Sequence, residues 1–220
     1  MPLTGRVLFD GGSLAGLANV VNQAANEIYL AFFVLKLALM NEYFTSGIVL
    51  SRLPSGEFDE SVVLYTKMFG KVRAKATGLR RITSKLSGHL QVGSLVNLRL
   101  RKKNSTQLIE AISLRRGLST DLHRFLGFID QMVPFESPDA HLWHACEYVL
   151  ENEVFIQGDK ELRDKVYRRL LDVLGFGPRF ANCSDCGSNK IAYFLASDIM
   201  FLCSNSLGKL GYTPYDLIEI

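Results

Sequence analysis

The sequence lacks an apolar run long enough to cross a membrane, and it has few cysteines. Its longest apolar stretch, residues 28–40, is thirteen residues long and is interrupted by Lys36, whereas a spanning helix needs about 20 apolar residues. The four cysteines are unevenly spaced and do not resemble the disulfide framework of a small secreted domain. These features argue against a membrane span and indicate a reducing, cytoplasmic environment.

The first 44 residues carry little that bears on function. They predict an N-terminal extension, helical over residues 14–40 or not native, in which Met40 is an alternative start to Met1. The apolar centre could also be a signal peptide, but the preceding region is long, has only Arg6 as a cation and is not followed by a cleavage site.

Sequence motifs of common enzymes are missing as well. The chain has no Walker lysine loop, no G-x-S-x-G elbow and no H-x-E ahead of its C-x-x-C pair. The remaining metal or acid-base candidates are His89, His123, His141 and His144. Of these, His141 and His144 lie at i, i+3 on a predicted helix without a carboxylate partner motif, as is typical of helix surfaces. We therefore predict a protein that is not an enzyme.

Charge is sorted along the chain, although the net charge is only +3. Residues 47–116 hold fourteen Lys/Arg and four Asp/Glu, whereas residues 117–220 hold nine and fifteen. Such a local positive excess repels itself unless an anionic partner compensates it. Nucleic acid is the favoured partner, and an anionic membrane surface is the rival.

The same basic segment alternates apolar and polar residues with a period of two. Strands are predicted at residues 48–53, 61–66, 71–76, 96–101 and 107–114, separated by turn-forming residues. Five short strands in about seventy residues indicate a small closed barrel with a cationic outer face.

Phosphate contacts require cations, and a groove with many of them binds a nucleic-acid backbone without sequence preference. The candidate contact residues are Arg52, Lys71, Arg73, Lys75, Arg80, Arg81, Lys85, Arg99 and Arg101. The alternative for each is a solvated strand face. Phe58, Tyr65 and Phe69 are candidate platforms for stacked bases, with burial in the core as their alternative.

After Gly117 the periodicity becomes helical. Apolar residues at spacings of three and four predict a helix after Ser119 and Thr120, a second that Ser137 caps ahead of Pro138, and a third over residues 159–174. These helices would form the core of a second domain at 117–220.

Cysteines near the C-terminus have the spacing of a metal site. Cys183 and Cys186 form a C-x-x-C pair, and Cys203 follows after sixteen residues with Ser206 where a fourth cysteine would complete a zinc site. Zinc bound by the three cysteines and packing without metal both stay open. Cys146 lies on a helix's apolar face, as a core thiol would.

Several segments resemble the bacterial recombination mediator family RecO. They are residues 45–50, 56–59, 64–66, 70–71, 78–81, 84–86 and 89–91, together with Leu174-Gly175 ahead of Cys183-x-x-Cys186-Gly187. The resemblance covers roughly residues 45–207. The departures from the family are Ser206 in place of a cysteine, the residues before Met40 and a short tail after the cysteines.

The resemblance implies an α+β, multidomain protein: an OB-fold barrel at 45–116, then an α-helical domain at 117–220 with a zinc-ribbon-like insertion at about 180–207. It further implies a DNA-repair and recombination mediator that binds and anneals single-stranded DNA. Expected partners are RecR, the acidic C-terminal tail of single-strand-binding protein and, indirectly, RecA, in the cytoplasm at the nucleoid. An RNA-binding OB protein and a zinc-stabilised interaction scaffold are the alternatives.

Overall fold

Alternating side chains produce five strands in the basic segment of the chain. They are β1 (Glu42–Pro54), β2 (Glu60–Thr66), β3 (Gly70–Ala76), β4 (Ser94–Lys102) and β5 (Thr106–Arg116). This computed structural model describes residues 41–152, 159–210 and 217–220. The predictions for residues 1–40 therefore lie outside the described residues. Within the described ranges, no helix combines the length and apolarity that a bilayer crossing requires.

The five strands close into a barrel in the order β1-β2-β3-β5-β4. Neighbours are antiparallel in the β1–β2, β2–β3 and β4–β5 pairs, and β3 runs parallel to β5. This is the strand order of the OB-fold. The predicted five-stranded barrel and its fold class are confirmed.

Inward-facing residues from all five strands and the loops fill the barrel. The buried members of this core are Val49, Val62, Leu64, Val72, Ala74, Ala76, Leu79, Leu90, Val96, Leu98, Leu100, Leu108 and Ala111. On β3 these apolar residues alternate with the exposed Arg73 and Lys75. The period of two in the sequence therefore arises because successive side chains of a strand point to opposite faces, here the barrel interior and the solvent.

Three helices follow the barrel: α1 (Thr120–Met132), α2 (Ala140–Glu151) and α3 (Lys160–Val173). Ser119 and Asp159 cap α1 and α3 through side-chain oxygens that accept from backbone N–H groups. The predicted Ser137 cap of α2 is wrong, because Asp139 accepts from the Leu142 N–H instead. Helix α3 ends before Gly175, which has a φ of +86°.

The remaining elements form a small sheet beside the helices. A 3₁₀ helix (Pro178–Phe180) precedes β6 (Tyr193–Leu195) and β7 (Met200–Leu202), and a short helix α4 (Ser204–Leu210) precedes β8 (Leu217–Glu219). The sheet has the order β7-β6-β8 with antiparallel neighbours. One face of it, including Phe194, joins the helical core.

The outer face of β1 and β2 is covered by the helices. Ile48, Leu50, Val63 and Tyr65 point away from the barrel interior and belong to the same buried cluster as the apolar faces of α1, α2 and α3. Residues 44–220 accordingly form one compact unit. The barrel is thus held against the helices by a continuous apolar core. The domain boundary predicted near residue 117 stays a prediction.

A segment between α1 and α2 also joins the edge of β3. Phe135 forms a parallel bridge with Lys71, and the Glu136 N–H donates to the Lys71 carbonyl over 2.8 Å. Gly70 is required here: its φ is +65°, and a Cβ would lie 2.3 Å from the Ser137 carbonyl oxygen. These contacts fix where the exposed part of β3 begins.

Candidate nucleic-acid interface and cysteine cluster

Two of the three predicted cations on β3 are exposed, and the third is not. Arg73 and Lys75 point to solvent, while Lys71 is only 5% exposed. The register explains the difference: Lys71 pairs with Tyr65, which the helices cover, and Lys75 pairs with Ser61, farther from them. The exposed face of β3 therefore begins at Arg73.

The prediction that Lys71 lies on an exposed cationic face is wrong. Its ammonium group lies 3.3 Å from an Asp130 carboxylate oxygen and donates to the Asp130 carbonyl. It also lies 4.5 Å from the centre of the Phe135 ring. Lys71 thus joins the barrel to the end of α1 instead of facing a ligand.

The β1–β2 loop is tied to the end of β3 through Asp59. Its carboxylate accepts from the Gly78 N–H over 2.8 Å and lies 3.0 Å from the Lys75 ammonium. The Gly78 N–H and then Lys75 hold the pKa of Asp59 below its usual value of 3.8. This contact fixes the loop beside Lys75.

Residues 77–85 bring further exposed cations to the same edge. The Arg80 N–H donates to the Phe58 carbonyl over 3.0 Å, and the Arg81 guanidinium lies 5.4 Å from the centre of the Phe58 ring. Arg80 and Lys85 are exposed, and within the described ranges neither side chain has an ion-pair partner. The loop cations and Phe58 are therefore neighbours.

The strand register extends this surface across the barrel. Lys75 pairs with Gln107 of β5, and Gln107 pairs with Arg101 of β4. Paired residues share a face and neighbouring strands lie about 4.8 Å apart, so Lys75 and Arg101 are about 10 Å apart on one side of the sheet. Arg99, on the same strand, lies 3.3 Å from Glu110.

Arg52 has a different environment from the one predicted. Its Nε lies 2.6 Å from Glu60, and its Nη1 donates to the Leu90 carbonyl over 3.4 Å. The side chain is largely buried. The expectation of an exposed phosphate contact is therefore wrong for Arg52, which ties two strands to the loop ahead of β4.

Of the three candidate aromatic platforms, Phe58 is the exposed one. Phe58 is 43% exposed, whereas Tyr65 is fully buried and stacks on Trp143 with 6.2 Å between ring centres. Burial raises the pKa of the Tyr65 hydroxyl. Tyr65 therefore takes the alternative environment that the sequence left open, burial in the core, because the helices cover that face of β2. Phe69 is half-buried beneath Lys102.

Phe135 was missed by the sequence analysis. It is 47% exposed, and its ring lies 5.5 Å from the Arg73 guanidinium. It comes from the loop between α1 and α2, and no pattern in the sequence connects that loop to β3. Only the packed structure places this ring beside a barrel cation.

We use the name basic surface for the exposed set Phe58, Arg73, Lys75, Arg80, Arg81 and Lys85. It lies on β3 and beside the β1–β2 loop, with the β4–β5 turn adjoining through Gln107. In OB-folds, the face of strands 2 and 3 and these two loops form the ligand-binding side. Glu57 and Asp59 are the carboxylates beside Phe58 in the chain, and Asp59 is paired with Lys75.

The cysteine cluster lies at the opposite end of the chain. The sulfur atoms of Cys183, Cys186 and Cys203 all lie within 4.8 Å of one another, and those of Cys186 and Cys203 are 3.6 Å apart. The turn after Cys183 and the start of α4 after β7 bring them together. Three thiols at this separation can hold a metal ion.

Hydrogen bonds favour ionisation in this cluster. Burial opposes it, but the Ser206 hydroxyl and the N–H groups of Cys186, Cys203 and Asp185 lower the pKa of the Cys183 thiol to about 6. The Ser206 hydroxyl and N–H also lower the pKa of Cys203. Cys146 lies elsewhere, fully buried on α2, where burial raises the pKa of its thiol.

The histidines are dispersed over the part of the chain that the structure describes. His89 Nδ1 lies 2.9 Å from the Ser113 hydroxyl, and His144 lies 3.5 Å from Glu147 on the same helix. His123 contacts the Ser119 carbonyl at the start of α1. Within that described part, the group suited to holding a metal contains cysteines and no histidine.

The strand order and the arrangement of the basic surface define an OB-fold protein in which one side of the barrel is covered by an α-helical domain. Residues 40–117 match the family described as Recombination protein O N terminal. The chain is thus similar to the RecO family over the residues that form the barrel. The resemblance seen in the sequence is confirmed.

Curated relatives agree with this assignment. The DNA repair protein RecO of a Nocardioides species is 30% identical over 159 residues, which cover 66% of this chain and 65% of the relative. That of Syntrophobacter fumaroxidans is 28% identical over 152 residues, covering 65% and 61%. That of Symbiobacterium thermophilum is 28% identical, covering 68% and 63%. The chain thus spans less than two thirds of the length of these relatives.

Proposed function

We propose that the protein acts in DNA repair and recombination by binding single-stranded DNA along the basic surface and annealing complementary strands. One observation carries the proposal. The helices cover the outer side of β1 and β2, while Arg73, Lys75, Arg80 and Arg81 stay exposed on the side where OB-folds bind. The names of the relatives support the repair role.

Annealing follows from backbone binding without covalent chemistry. Cations that neutralise phosphates lower the repulsion between two strands and raise their local concentration. Contacts to the backbone leave base edges free to pair with a complement. Phe58, beside Arg81, supplies one stacking surface that accepts any base. This mechanism requires no catalytic residue, and we propose that the protein is not an enzyme.

The cysteine cluster is proposed to bind zinc as a structural element. Cys183, Cys186 and Cys203 would hold the ion, which would link the turn after Cys183 to the start of α4. The support is the sulfur separation, since a tetrahedral site with Zn–S distances of about 2.3 Å has sulfurs about 3.8 Å apart.

We also propose protein partners, from a cavity in the structure and from the similarity to RecO proteins. A cavity of about 310 Å³ on the helical side is lined by Arg124, Arg163 and Tyr193, among others. We propose it as the site for the acidic tail of single-strand-binding protein, because arginine binds carboxylates in two-point contacts. The tail would compete there with Asp164 and Glu219, which also line the cavity, and with Asp121, which pairs with Arg163. RecR and, indirectly, RecA are the further partners expected of a RecO relative, in the cytoplasm at the nucleoid.

The test is a titration of fluorescent oligo(dT) with the full chain at several salt concentrations. Four or five phosphate contacts predict a slope of about −3 in log affinity against log salt. The double variant Arg73→Glu with Lys75→Glu is expected to lower affinity at least tenfold. It should also flatten the slope by about 1.4, because two cations no longer neutralise phosphates.

A matched control carries the same charge change on α3, where Arg168 and Arg169 are exposed. Arg168→Glu with Arg169→Glu is expected to leave the salt slope unchanged. A flat salt response of the unaltered chain, or equal reductions of affinity in the two double variants, would contradict the proposal.

The two alternatives are separated by companion measurements. A competition titration with matched DNA and RNA strands tests the RNA-binding alternative, because only contacts to 2′-hydroxyls would favour RNA. A strand-annealing assay with single-strand-binding protein present tests the scaffold alternative. Under that alternative, Arg73→Glu with Lys75→Glu spares annealing, whereas a DNA interface on the basic surface requires that the double variant fail to anneal strands.

A further inference from the structure

Ser206 lies inside the cysteine cluster. Its side-chain oxygen is 3.4 Å from the Cys183 sulfur and 3.3 Å from the Cys203 sulfur, and the residue is only 1% exposed. In the sequence, Ser206 stands where a fourth cysteine would complete a zinc site. The structure places its oxygen where a fourth ligand would lie.

The distances fit one vertex of a tetrahedron. With Zn–S at about 2.3 Å and Zn–O at about 2.1 Å, a sulfur and an oxygen bound to one zinc ion lie about 3.6 Å apart. The oxygen of Ser206 is within a few tenths of an ångström of this separation from two sulfurs. The sulfurs of Cys186 and Cys203 lie 3.6 Å apart, close to the separation of about 3.8 Å for two sulfurs bound to one zinc ion.

The hydroxyl of Ser206 lies within hydrogen-bonding distance of the Cys183 and Cys203 sulfurs. A hydroxyl oxygen has two lone pairs and rotates freely about its C–O bond, so a lone pair is available to the centre of the cluster. When zinc binds, the three thiols release three protons to solvent, and the ion takes the place of the thiol protons in front of the oxygen. Ser206 keeps its own proton and binds as a neutral hydroxyl.

We infer that Ser206 is the fourth ligand and that the protein has a closed Cys₃Ser zinc site. The inference rests on the proposal that the cluster binds zinc. It assigns the site a net charge of −1, from three thiolates and one Zn²⁺, where four cysteines would give −2. A ligand that is already buried and in place also excludes water from the fourth position.

The test uses the full chain, its zinc content and the absorption of the Co²⁺-substituted protein. The unaltered chain is expected to hold one zinc ion. Ser206→Ala is expected to weaken metal binding about 10- to 100-fold in competition with a chelator. Losses of this size are typical when a residue that supports a metal ligand is removed, and removing a ligand itself should cost at least as much. Ser204→Ala, an exposed serine in the same turn, is the matched control and should bind like the unaltered chain.

A second variant, Ser206→Cys, distinguishes loss of a metal ligand from misfolding, because it changes the same residue but supplies a stronger ligand. Its sulfur-to-Co²⁺ charge-transfer band should be stronger by about a third, since four thiolates replace three, and it should bind metal more tightly than the unaltered chain. Metal affinity of Ser206→Ala equal to that of the unaltered chain would overturn the role of Ser206 and leave the zinc proposal standing. An unaltered chain that takes up neither zinc nor Co²⁺ would overturn both.

Discussion

At the scale of single residues, the position of a cation along β3 decides what its charge does. Lys71 lies under the helices and pairs with Asp130, while Arg73 and Lys75, two and four residues on, face solvent. A buried cation needs its anionic partner because unpaired burial is costly, whereas an exposed cation is available to an external anion. We therefore propose that Lys71 contributes to stability and Arg73 to binding.

Lys71→Met tests that division. The substitution keeps the apolar stem and removes the charge beside Asp130, so we expect the free energy of unfolding to fall by about 1 to 3 kcal/mol. Affinity for oligo(dT), measured on the folded protein, should stay the same. Arg73→Met is the matched variant and should show the reverse pattern in urea unfolding and DNA titration. A loss of DNA affinity in Lys71→Met as large as in Arg73→Met would contradict the assignment.

Asp59 makes the loop beside the basic surface sensitive to acid. Its pKa is lower in the folded protein than the ordinary 3.8, so its stabilising effect is full above pH 3.8 and is lost as the pH falls through the folded value. Asp59→Asn should therefore lower the urea midpoint at pH 7, and the difference between the two proteins should shrink as the pH is lowered below 3.8. A difference between the two proteins that is independent of pH would contradict this.

At the scale of elements, β2 has two buried faces. Val62 and Leu64 fill the barrel, and Val63 and Tyr65 pack against the helices. A strand buried on both sides has no polar side to bind a ligand, so the interface is left to β3 and to the loops at its end. The β1–β2 loop contributes the one aromatic ring among the three predicted platforms that reaches solvent.

Phe58→Ala tests whether that loop stacks on bases. We expect affinity for oligo(dT) to fall about five- to tenfold, at the low end of the 1 to 3 kcal/mol for a stacked base, because the ring is only partly exposed. The salt slope should not change, and Phe58→Tyr should bind like the unaltered chain. Phe180→Ala, at an exposed ring on the 3₁₀ helix, is the control. Unchanged affinity in Phe58→Ala would remove the loop from the interface.

At the scale of the whole molecule, the barrel and the helices share one core. Trp143, the single tryptophan, lies in this core and stacks on Tyr65 of β2. Separating the two parts would expose Ile48, Leu50, Val63 and Tyr65 to water, at about 25 cal/mol for each Å² of apolar surface. We therefore expect residues 44–220 to unfold together.

Val63→Ala tests this coupling from the barrel side. Removing two methyl groups from the shared core should destabilise the protein by about 1 to 2 kcal/mol. The loss should appear equally in Trp143 fluorescence during urea unfolding and in hydrogen exchange of amides on β2 and α2. Two separate transitions, with protection lost on β2 alone, would show that the barrel unfolds independently of the helices.

Local sequence was enough to define the five barrel strands and the three helices that follow them. Strand and helix periodicity and the Ser119 cap depend on residues close in the chain, and the positive charge of residues 47–116 is read directly from the sequence. These features predicted the barrel and the three helices, and the spacing of the cysteines indicated a possible metal site. They also placed Arg73, Lys75, Arg80, Arg81 and Lys85 among the candidate contacts.

Which faces stay open depends instead on tertiary packing. Burial of Lys71, Arg52 and Tyr65 follows from contacts with residues distant in sequence, such as Asp130 and Trp143, and strand alternation alone cannot say which outer face another element covers. The same holds for the contact between Ser206 and Cys183, which are 23 residues apart. The Ser184 N–H donates to the Phe201 carbonyl and so holds the turn after Cys183 beside β7. The exposure of a side chain depends on which distant residues pack against it, and those residues are brought together only when the whole chain folds into a close-packed interior.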